Sequence, residues 1–203
     1  MTTMPAPQTS LLYRVVLLRH GQTEWSQSGQ HTGRSDIPLT VAGRAQAKAV
    51  APLLARLGLV DPYVVSSPRT RALDTAMLAG LTVAETTEDL GEWGYGDYEG
   101  MTTDEIRTEV PGWTVWTQPC PGGETADSVH HRADAILARA AEQLTHRDVV
   151  LVGHGHFSRA LLARWVAMPV TAGIHFGMSP GGIAVLGHEH GQPQIAAMNI
   201  TND

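Results

Sequence analysis

Three short apolar runs along the chain each end in a small or polar residue. The runs cover residues 14–20, 63–67 and 148–153 and are rich in valine and leucine. Their apolar residues are continuous rather than alternating, which is typical of strands buried on both faces of a parallel sheet. The chain is therefore predicted to repeat a strand, a polar tip and a helix.

Two helices are predicted from apolar positions that recur at helical spacing. The first has a candidate N-cap at Thr40 and a stop at Gly58, and Pro52 is expected to kink or split it. The second begins at Thr125 and carries its apolar stripe to Leu144. Strands that alternate with helices predict an α/β fold, a three-layer sandwich whose mainly parallel sheet has helices on both faces.

The remaining segments are predicted from composition and short apolar patterns. Residues 85–123 are rich in Gly, Trp, Tyr and Pro and are interpreted as an insertion over the carboxyl ends of the strands. Segments 175–178, 182–186 and 195–199 are candidate further strands, the last ones antiparallel at an edge. A length of 203 residues favours a single domain over 1–203, with residues 1–12 as a flexible tail.

Composition narrows the class of protein. A hydrophobic fraction of 42% and a charged fraction of 17% are typical of soluble globular chains, and no apolar run is long enough to cross a bilayer. The net charge of −6 argues against a nucleic-acid partner, which needs a basic face. The first ten residues show no signal-peptide pattern, and Cys120 is the single cysteine, so a cytoplasmic location is expected.

Arginine and histidine side chains occur at the predicted strand tips. They lie within 19–21, 66–71 and 154–156. Carboxyl ends of neighbouring parallel strands meet at one edge of the sheet, where ligands bind. Arginine pairs with phosphate oxygens, and histidine can act as a nucleophile at neutral pH. Each feature alone also has an ordinary explanation, a surface ion pair or an incidental histidine, but together they predict a phosphoryl-binding pocket.

The motifs also occur in a characteristic order. They are LRHGQTEW at 18–25, TGRSD at 32–36, SSPRTRA at 66–72, LGE at 90–92, YEG at 98–100, GET at 123–125 and HG at 154–155. The set resembles the histidine phosphatase superfamily, in its phosphoglycerate mutase-like branch, over about residues 13–160. Segments 92–100, 113–116 and 154–159 are most similar to the small bacterial acid phosphatases and the sedoheptulose-bisphosphatase-like enzymes of that family.

The resemblance implies a role for each of five matching residues. His20 would accept the phosphoryl group on a ring nitrogen, and Arg19, Arg71 and His154 would hold its oxygens. Glu92 would protonate the leaving oxygen and then activate water. Phosphoryl transfer requires mainly positioning and neutralised charge, so the family chemistry implies no metal and no other cofactor.

Further substrate contacts are implied at positions that match the family's phosphate-binding residues. Ser26 stands where many relatives carry Asn, which shortens the donor. The ten histidines show neither a helical H-x-x-x-H spacing nor a cluster of carboxylates, so no metal site is predicted. The implied substrate contacts are Gln22, Ser26, Thr32, Gly33, Tyr95, Gly155 and His156.

The expected function is a metal-independent phosphomonoesterase that acts on small phosphorylated metabolites through a phosphohistidine. A cofactor-dependent phosphoglycerate mutase is the main alternative, and it would need extra cations over the site. Between Glu92 and His154 there is no lysine and no adjacent pair of arginines, which favours hydrolysis. A catalytically inactive phospholigand-binding protein is a third reading, although all five chemical residues are present. The sequence leaves the oligomeric state open, with a homodimer as one alternative because dimers are common among the relatives that the motifs imply. The four arginines between Glu92 and His154 are Arg107, Arg132, Arg139 and Arg147.

Overall fold

The computed structural model describes residues 13–202 and contains a six-stranded mixed sheet. The predicted tail over 1–12 lies outside these residues. The strands are β1 Val15–Arg19, β2 Tyr63–Ser66, β3 Glu85–Thr86, β4 Val149–Gly153, β5 Ile183–Glu189 and β6 Gln192–Ile200, in the order β3-β2-β4-β1-β5-β6. The helices are α1 Glu24–Ser28, α2 Val41–Leu57, α3 Thr70–Leu78, α4 Thr103–Glu109, α5 Ala126–Gln143 and α6 Gly155–Trp165. Three short 3₁₀ segments cover Glu88–Leu90, Gly96–Tyr98 and Val170–His175.

The central strands are buried on both faces, as their continuous apolar runs predict. Alternate residues of β1 face opposite sides of the sheet. Val15 and Leu17 pack in a core with residues of α5 and α6, whereas Val16 and Leu18 pack with residues of α2 and α3. The predicted three-layer α/β sandwich is confirmed.

The register of the central strands aligns the polar tips. β1 and β4 are parallel, and Arg19 lies opposite Gly153. β2 is parallel to β4 on its other side, and Ser66 lies opposite Val152. The residues that follow β1, β2 and β4 therefore emerge together at one edge of the sheet, while β5 runs antiparallel to β1 and makes the sheet mixed.

Both predicted helices form, and the first is not split by its proline. The Thr40 hydroxyl accepts a hydrogen bond from Gly43 N at 3.0 Å, and Gly58 ends α2 at φ +58°. Pro52 is exposed within a continuous α2. Its missing N–H leaves a carbonyl that water can satisfy on this face, while Leu53 and Leu54 hold the helix on the sheet. Of the predicted kink or split at Pro52, the split is wrong, and the kink stays a prediction.

The later segments differ partly from prediction. Residues 182–186 and 195–199 lie within or at the ends of the antiparallel β5 and β6, whose turn contains His190 and Gly191 at positive φ. The predicted strand over 175–178 is wrong, because His175 ends a 3₁₀ segment and the following residues form no strand. The Met178 carbonyl instead accepts a hydrogen bond from the guanidinium of Arg19.

Residues 85–123 begin inside the sheet and then leave it. Glu85–Thr86 pairs with β2 as a two-residue edge strand. The rest of the segment lies outside the sheet. It contacts the loop near residue 30 through an isolated β-bridge between Thr102 and Gln30. Trp93, Trp113 and Trp116 are buried within this segment and form part of the core. None of the helices among the described residues is long and apolar enough to span a bilayer.

Candidate active site

Two buried histidines meet at the tips of neighbouring strands. His20 follows β1, and its backbone N–H donates to the Gly153 carbonyl at 3.0 Å. His154 follows β4 and is the N-cap of α6. Their ring centroids are 5.1 Å apart in an edge-on arrangement. The parallel pairing of β1 and β4 thus brings the predicted nucleophile and one predicted phosphate ligand together.

The ring of His20 has a defined proton position. Its Nδ1 lies 2.7 Å from the carbonyl oxygen of Gly21, and since a carbonyl only accepts, Nδ1 carries the proton. Nε2 is left with a free lone pair in the neutral ring. Burial lowers the pKa of His20 well below its usual value, and the charges of Arg71 and Arg19 lower it further. His20 is therefore held in the form that can attack phosphorus.

The turn after β1 packs very closely against the first turn of α2. A Cβ on Gly21 would lie 2.2 Å from the Gly43 carbonyl oxygen, and a Cβ on Gly43 would lie 2.0 Å from the Gln22 carbonyl oxygen. Only glycine fits at both positions. The Gly21 N–H also donates to the Thr75 hydroxyl at 3.1 Å. These contacts fix the backbone that carries His20.

His154 is held between two polar partners. The Arg71 Nε donates to its Nδ1 at 3.3 Å, so that nitrogen carries no proton. Its Nε2 therefore carries the proton and lies 2.8 Å from the Ser67 hydroxyl oxygen. Burial lowers the pKa of His154 well below its usual value, and the charge of Arg71 adds to that effect. Ser67 is a site residue that was not predicted from the sequence, although it lies inside the SSPRTRA motif.

The two predicted arginines are buried beside the histidines. Arg19 Nη1 donates to the Met178 carbonyl at 2.5 Å, and its Nε has no partner among the described residues. Arg71 is fully buried, and its Nη1 donates to the Ser35 carbonyl at 2.7 Å. Burial lowers the pKa of both guanidiniums. Arg71 is thus anchored by a backbone carbonyl, and Arg19 is held by the carbonyl of Met178.

Glu92 joins the 85–123 segment to the start of α6. Its Oε1 accepts from Trp93 N at 2.9 Å and Phe157 N at 2.8 Å, and its Oε2 accepts from His156 N at 3.0 Å. These three backbone donors fix the carboxyl group of Glu92 at the cavity wall, between the 85–123 segment and α6.

A cavity of about 260 Å³ lies over His20. Arg71 and His154 are fully buried beside His20 instead of facing this cavity. The predicted site residues that line it are Arg19, His20, Ser26, Thr32, Glu92, Tyr95, Gly155 and His156.

Several predicted substrate contacts are already engaged within the protein. The Gln22 side-chain oxygen accepts from the Thr40 hydroxyl at 2.9 Å, and Gly33 N donates to the Glu99 carboxylate at 2.9 Å. Ser26 closes the cap of α1 through the Thr23 backbone. The phosphate-binding roles of Gln22, Ser26 and Gly33 stay predictions.

Other cavity residues were not predicted from the sequence. Burial lowers the pKa of one of them, His31, to about 4. Two predicted residues lie beside it: the Tyr95 hydroxyl is 2.6 Å from His156 Nδ1, which fixes both side chains on the cavity wall. Arg159 was visible in the 154–159 motif, but nothing in that motif placed its side chain in the cavity. The additional lining residues are Gly29, Gln30, His31, Thr103, Arg159 and Met178.

The described residues contain no group of three His, Cys, Asp or Glu side chains that could hold a metal ion. Cys120 is buried, and burial raises the pKa of its thiol to about 11. A thiol in this state is a poor nucleophile, in line with the interpretation of Cys120 as an unreactive residue.

Comparison with known proteins places this geometry in a family. Residues 15–201 match the histidine phosphatase superfamily (branch 1). The chain is 51% identical over 189 residues to an acid phosphatase of Mycobacterium tuberculosis, with 93% of each chain covered. It is 35% identical to the sedoheptulose 1,7-bisphosphatase of Saccharomyces cerevisiae, over 79% of this chain and 70% of that protein.

A solved structure of a Mycobacterium tuberculosis open reading frame has the same fold. It superposes with a TM-score of 0.93 at 50% identity and covers 95% of this chain and 100% of that chain. The resemblance read from the motifs is confirmed. The chain belongs to the histidine phosphatase superfamily.

Proposed function

We propose that the protein hydrolyses phosphate monoesters without a metal, through a phosphohistidine formed on Nε2 of His20. The observation that carries this proposal is the free lone pair of a neutral, buried His20 at the wall of a cavity that also contains Arg19 and Glu92. The expectation of a phosphomonoesterase is confirmed by the family and by the acid phosphatase relative. The covalent route and its residue roles are our proposal.

In the first step, His20 Nε2 forms a bond to phosphorus while the bond from phosphorus to the ester oxygen breaks. The proton for the leaving oxygen comes from Glu92. Arg19 lines the cavity and offsets the charge on the transferred oxygens, and the buried Arg71 adds its positive charge from its place beside His154. In the second step, water gives a proton to Glu92 and attacks phosphorus, the N–P bond breaks, and inorganic phosphate is released with neutral His20 restored.

The mutase alternative requires extra cations from the segment between Glu92 and His154, and that segment supplies none to the cavity. Between Glu92 and His154 the chain has four arginines, and none of them lines the cavity over His20. Each is held elsewhere: Arg107 donates to the Trp113 carbonyl, and Arg132, Arg139 and Arg147 pair with Glu124, Glu85 and Asp61 respectively. A phosphorylated acid that must reorient without leaving would need some of these groups over the site. Their positions support hydrolysis.

The inactive-scaffold alternative is supported less well by the site. A binding protein does not need a general acid, yet Glu92 is held at the cavity wall by three hydrogen bonds. The single cysteine supports a reducing, cytoplasmic setting. The predicted homodimer stays a prediction.

The test is hydrolysis of p-nitrophenyl phosphate by the purified protein in EDTA, followed by a screen of sugar phosphates, phosphoglycerates and nucleotides. We expect release of inorganic phosphate without added metal, and loss of that release in His20→Ala. Activity that depends on a restored divalent metal, or that survives in His20→Ala, would overturn the mechanism. Faster interconversion of phosphoglycerates than phosphate release would favour the mutase.

A further inference from the structure

The segment over residues 178–182 contacts the strand tip that carries Arg19 and His20. The carbonyl of Met178 accepts a hydrogen bond from Nη1 of Arg19. The N–H of Gly181 donates to the backbone carbonyls of Arg19 and His20, at 3.2 and 3.1 Å. The 178–182 segment therefore fixes the backbone of the proposed nucleophile and the direction of the Arg19 guanidinium.

Asn199, near the end of β6, holds this segment from outside the cavity. Its Oδ1 accepts a hydrogen bond from the N–H of Ser179 at 2.6 Å, and its Nδ2 donates to the Ser179 hydroxyl at 3.2 Å. The two residues are 20 positions apart in the sequence. Asn199 thus ties the middle of the 178–182 segment to the last strand of the sheet.

The backbone of β6 is distorted at the point where Asn199 makes these bonds. Asn199 has φ +53°, in the left-handed region that residues other than glycine adopt uncommonly. Ile183 pairs with Ile200 and Val185 pairs with Ala197, so a step of two residues on β5 faces a step of three on β6. A β-bulge of this kind re-aims a side chain, and bulges are frequent next to active sites. Such a conformation persists where the surrounding structure holds it.

A glycine beside Asn199 leaves the room that its side chain needs. A Cβ on Gly182 would lie 2.8 Å from Oδ1 of Asn199 and 2.8 Å from the Ser179 carbonyl oxygen. The Gly182 carbonyl also accepts from the backbone N–H of Arg19 at 3.1 Å. A Cβ on Gly177 would lie at an ordinary contact distance of 3.9 Å from Nδ2 of Asn199. The contact between Asn199 and Ser179 therefore requires glycine at 182 and not at 177.

We infer that Asn199 is a positioning residue for Arg19. Through the 178–182 segment it holds the Met178 carbonyl, which orients the Arg19 guanidinium in the cavity over His20. This inference rests on the proposed phosphatase function, in which Arg19 offsets charge on the transferred phosphoryl group. A donor that is already oriented needs no reorganisation when that charge develops.

The first test is kcat for p-nitrophenyl phosphate in Asn199→Gly. Glycine adopts the left-handed conformation freely, so this variant removes the two hydrogen bonds and keeps the backbone. We expect kcat to fall about 5- to 50-fold, in proportion to two lost hydrogen bonds. Asn199→Asp keeps an acceptor for Ser179 N and tolerates positive φ, so it should recover most of kcat. The matched control is His190→Gly, at φ +51° in the turn before β6, which should keep the wild-type kcat.

A double-mutant cycle separates the positioning of Arg19 from a general loosening of the fold. In an Arg19→Met background, Asn199→Gly should change kcat by less than about twofold, because the group that it positions is gone. A general loosening would lower kcat by the same factor in both backgrounds. That result would overturn the inference, as would a wild-type kcat in a folded Asn199→Gly protein.

A second pair of variants tests the same contact if Asn199→Gly fails to fold. Gly182→Ala should displace the Asn199 side chain and lower kcat, whereas Gly177→Ala should not. Equal kcat values in these two folded variants would overturn the inference. In each of these refuting outcomes the wild-type protein still releases phosphate, so the proposed function stands. A wild-type protein with no phosphatase activity would refute the proposed function and this inference with it.

Discussion

Glu92→Gln separates two roles of one carboxylate, proton donation and support of α6. The change removes the transferable proton and keeps the shape of the side chain. Positioned general acids contribute about 10²- to 10⁴-fold. The loss should be of that size for alkyl phosphates, whose leaving alkoxide needs a proton, and about tenfold or less for p-nitrophenyl phosphate, whose phenolate leaves unaided.

The same variant should lower stability for a different reason. Glu92 accepts from the backbone N–H groups of Trp93, His156 and Phe157. The introduced amide has one acceptor oxygen, and its NH₂ end faces at least one of those donors. Leaving a buried donor unpaired costs about 1–3 kcal/mol. In a chain of this length each kcal/mol lowers Tm by about 2–4 °C.

The assay is kcat/KM for a series of esters of increasing leaving-group pKa, with Tm measured on the same samples. Glu124→Gln is the matched control, because Glu124 accepts from Gly94 N at 2.9 Å and pairs with Arg132, away from the cavity over His20. It should lower Tm without changing the leaving-group dependence. Equal losses on alkyl and nitrophenyl esters in Glu92→Gln would refute the assignment of Glu92 as proton donor.

Three further predictions follow from the geometry. Rapid quenching and phosphorus NMR should show an acid-labile adduct on Nε2 of His20, and an adduct on Nδ1 would contradict the hydrogen bond to Gly21. The pKa of His31 in the folded state is about 4, below its unfolded value of about 6.5. Only the unfolded chain takes up this proton as the pH falls, so urea titrations should show a loss of about 2 kcal/mol from His31 between pH 7 and 5, with a shallower dependence in His31→Asn. Gly43→Ala should cost about 1–3 kcal/mol by overpacking and reduce kcat, whereas Gly187→Ala, with open space around its Cβ, should do neither in thermal melts and assays.

The parts of the fold that the sequence predicts are those with a strong local signal. β1 and β4 are buried on both faces, so their runs are continuously apolar. α5 has a capped start at Thr125 and a regular stripe. The edge strand Glu85–Thr86 is too short for any periodicity. Residues 175–178 contain Phe176 and Met178 but lack a partner strand, and a partner is a tertiary property that no local pattern encodes.

The candidate site also divides into residues that local motifs predict and residues that only tertiary contacts bring to the site. His20, His154 and Glu92 stand at motif positions, and the parallel pairing of β1 and β4 brings the two histidines to one edge of the sheet. Ser67 and Arg159 become site residues only through distant partners, the ring of His154 in one case and the Trp116 stack in the other. Their placement depends on how α6 packs against segments far away in sequence, which a single sequence does not display.

The charges around His20 explain how the proposed nucleophile stays neutral at the cavity wall. Nucleophilic attack needs a neutral His20, and burial together with Arg71 and Arg19 keeps the pKa of His20 well below its usual value. The proposed proton donor, Glu92, is held at the cavity wall by three backbone N–H groups. The nucleophile and the proton donor are thus two separate groups, and the two arginines keep the first of them neutral. A lowered histidine pKa extends the reactive form to more acidic solution, so kcat/KM is expected to persist below pH 6.5, where an unperturbed histidine would already be protonated.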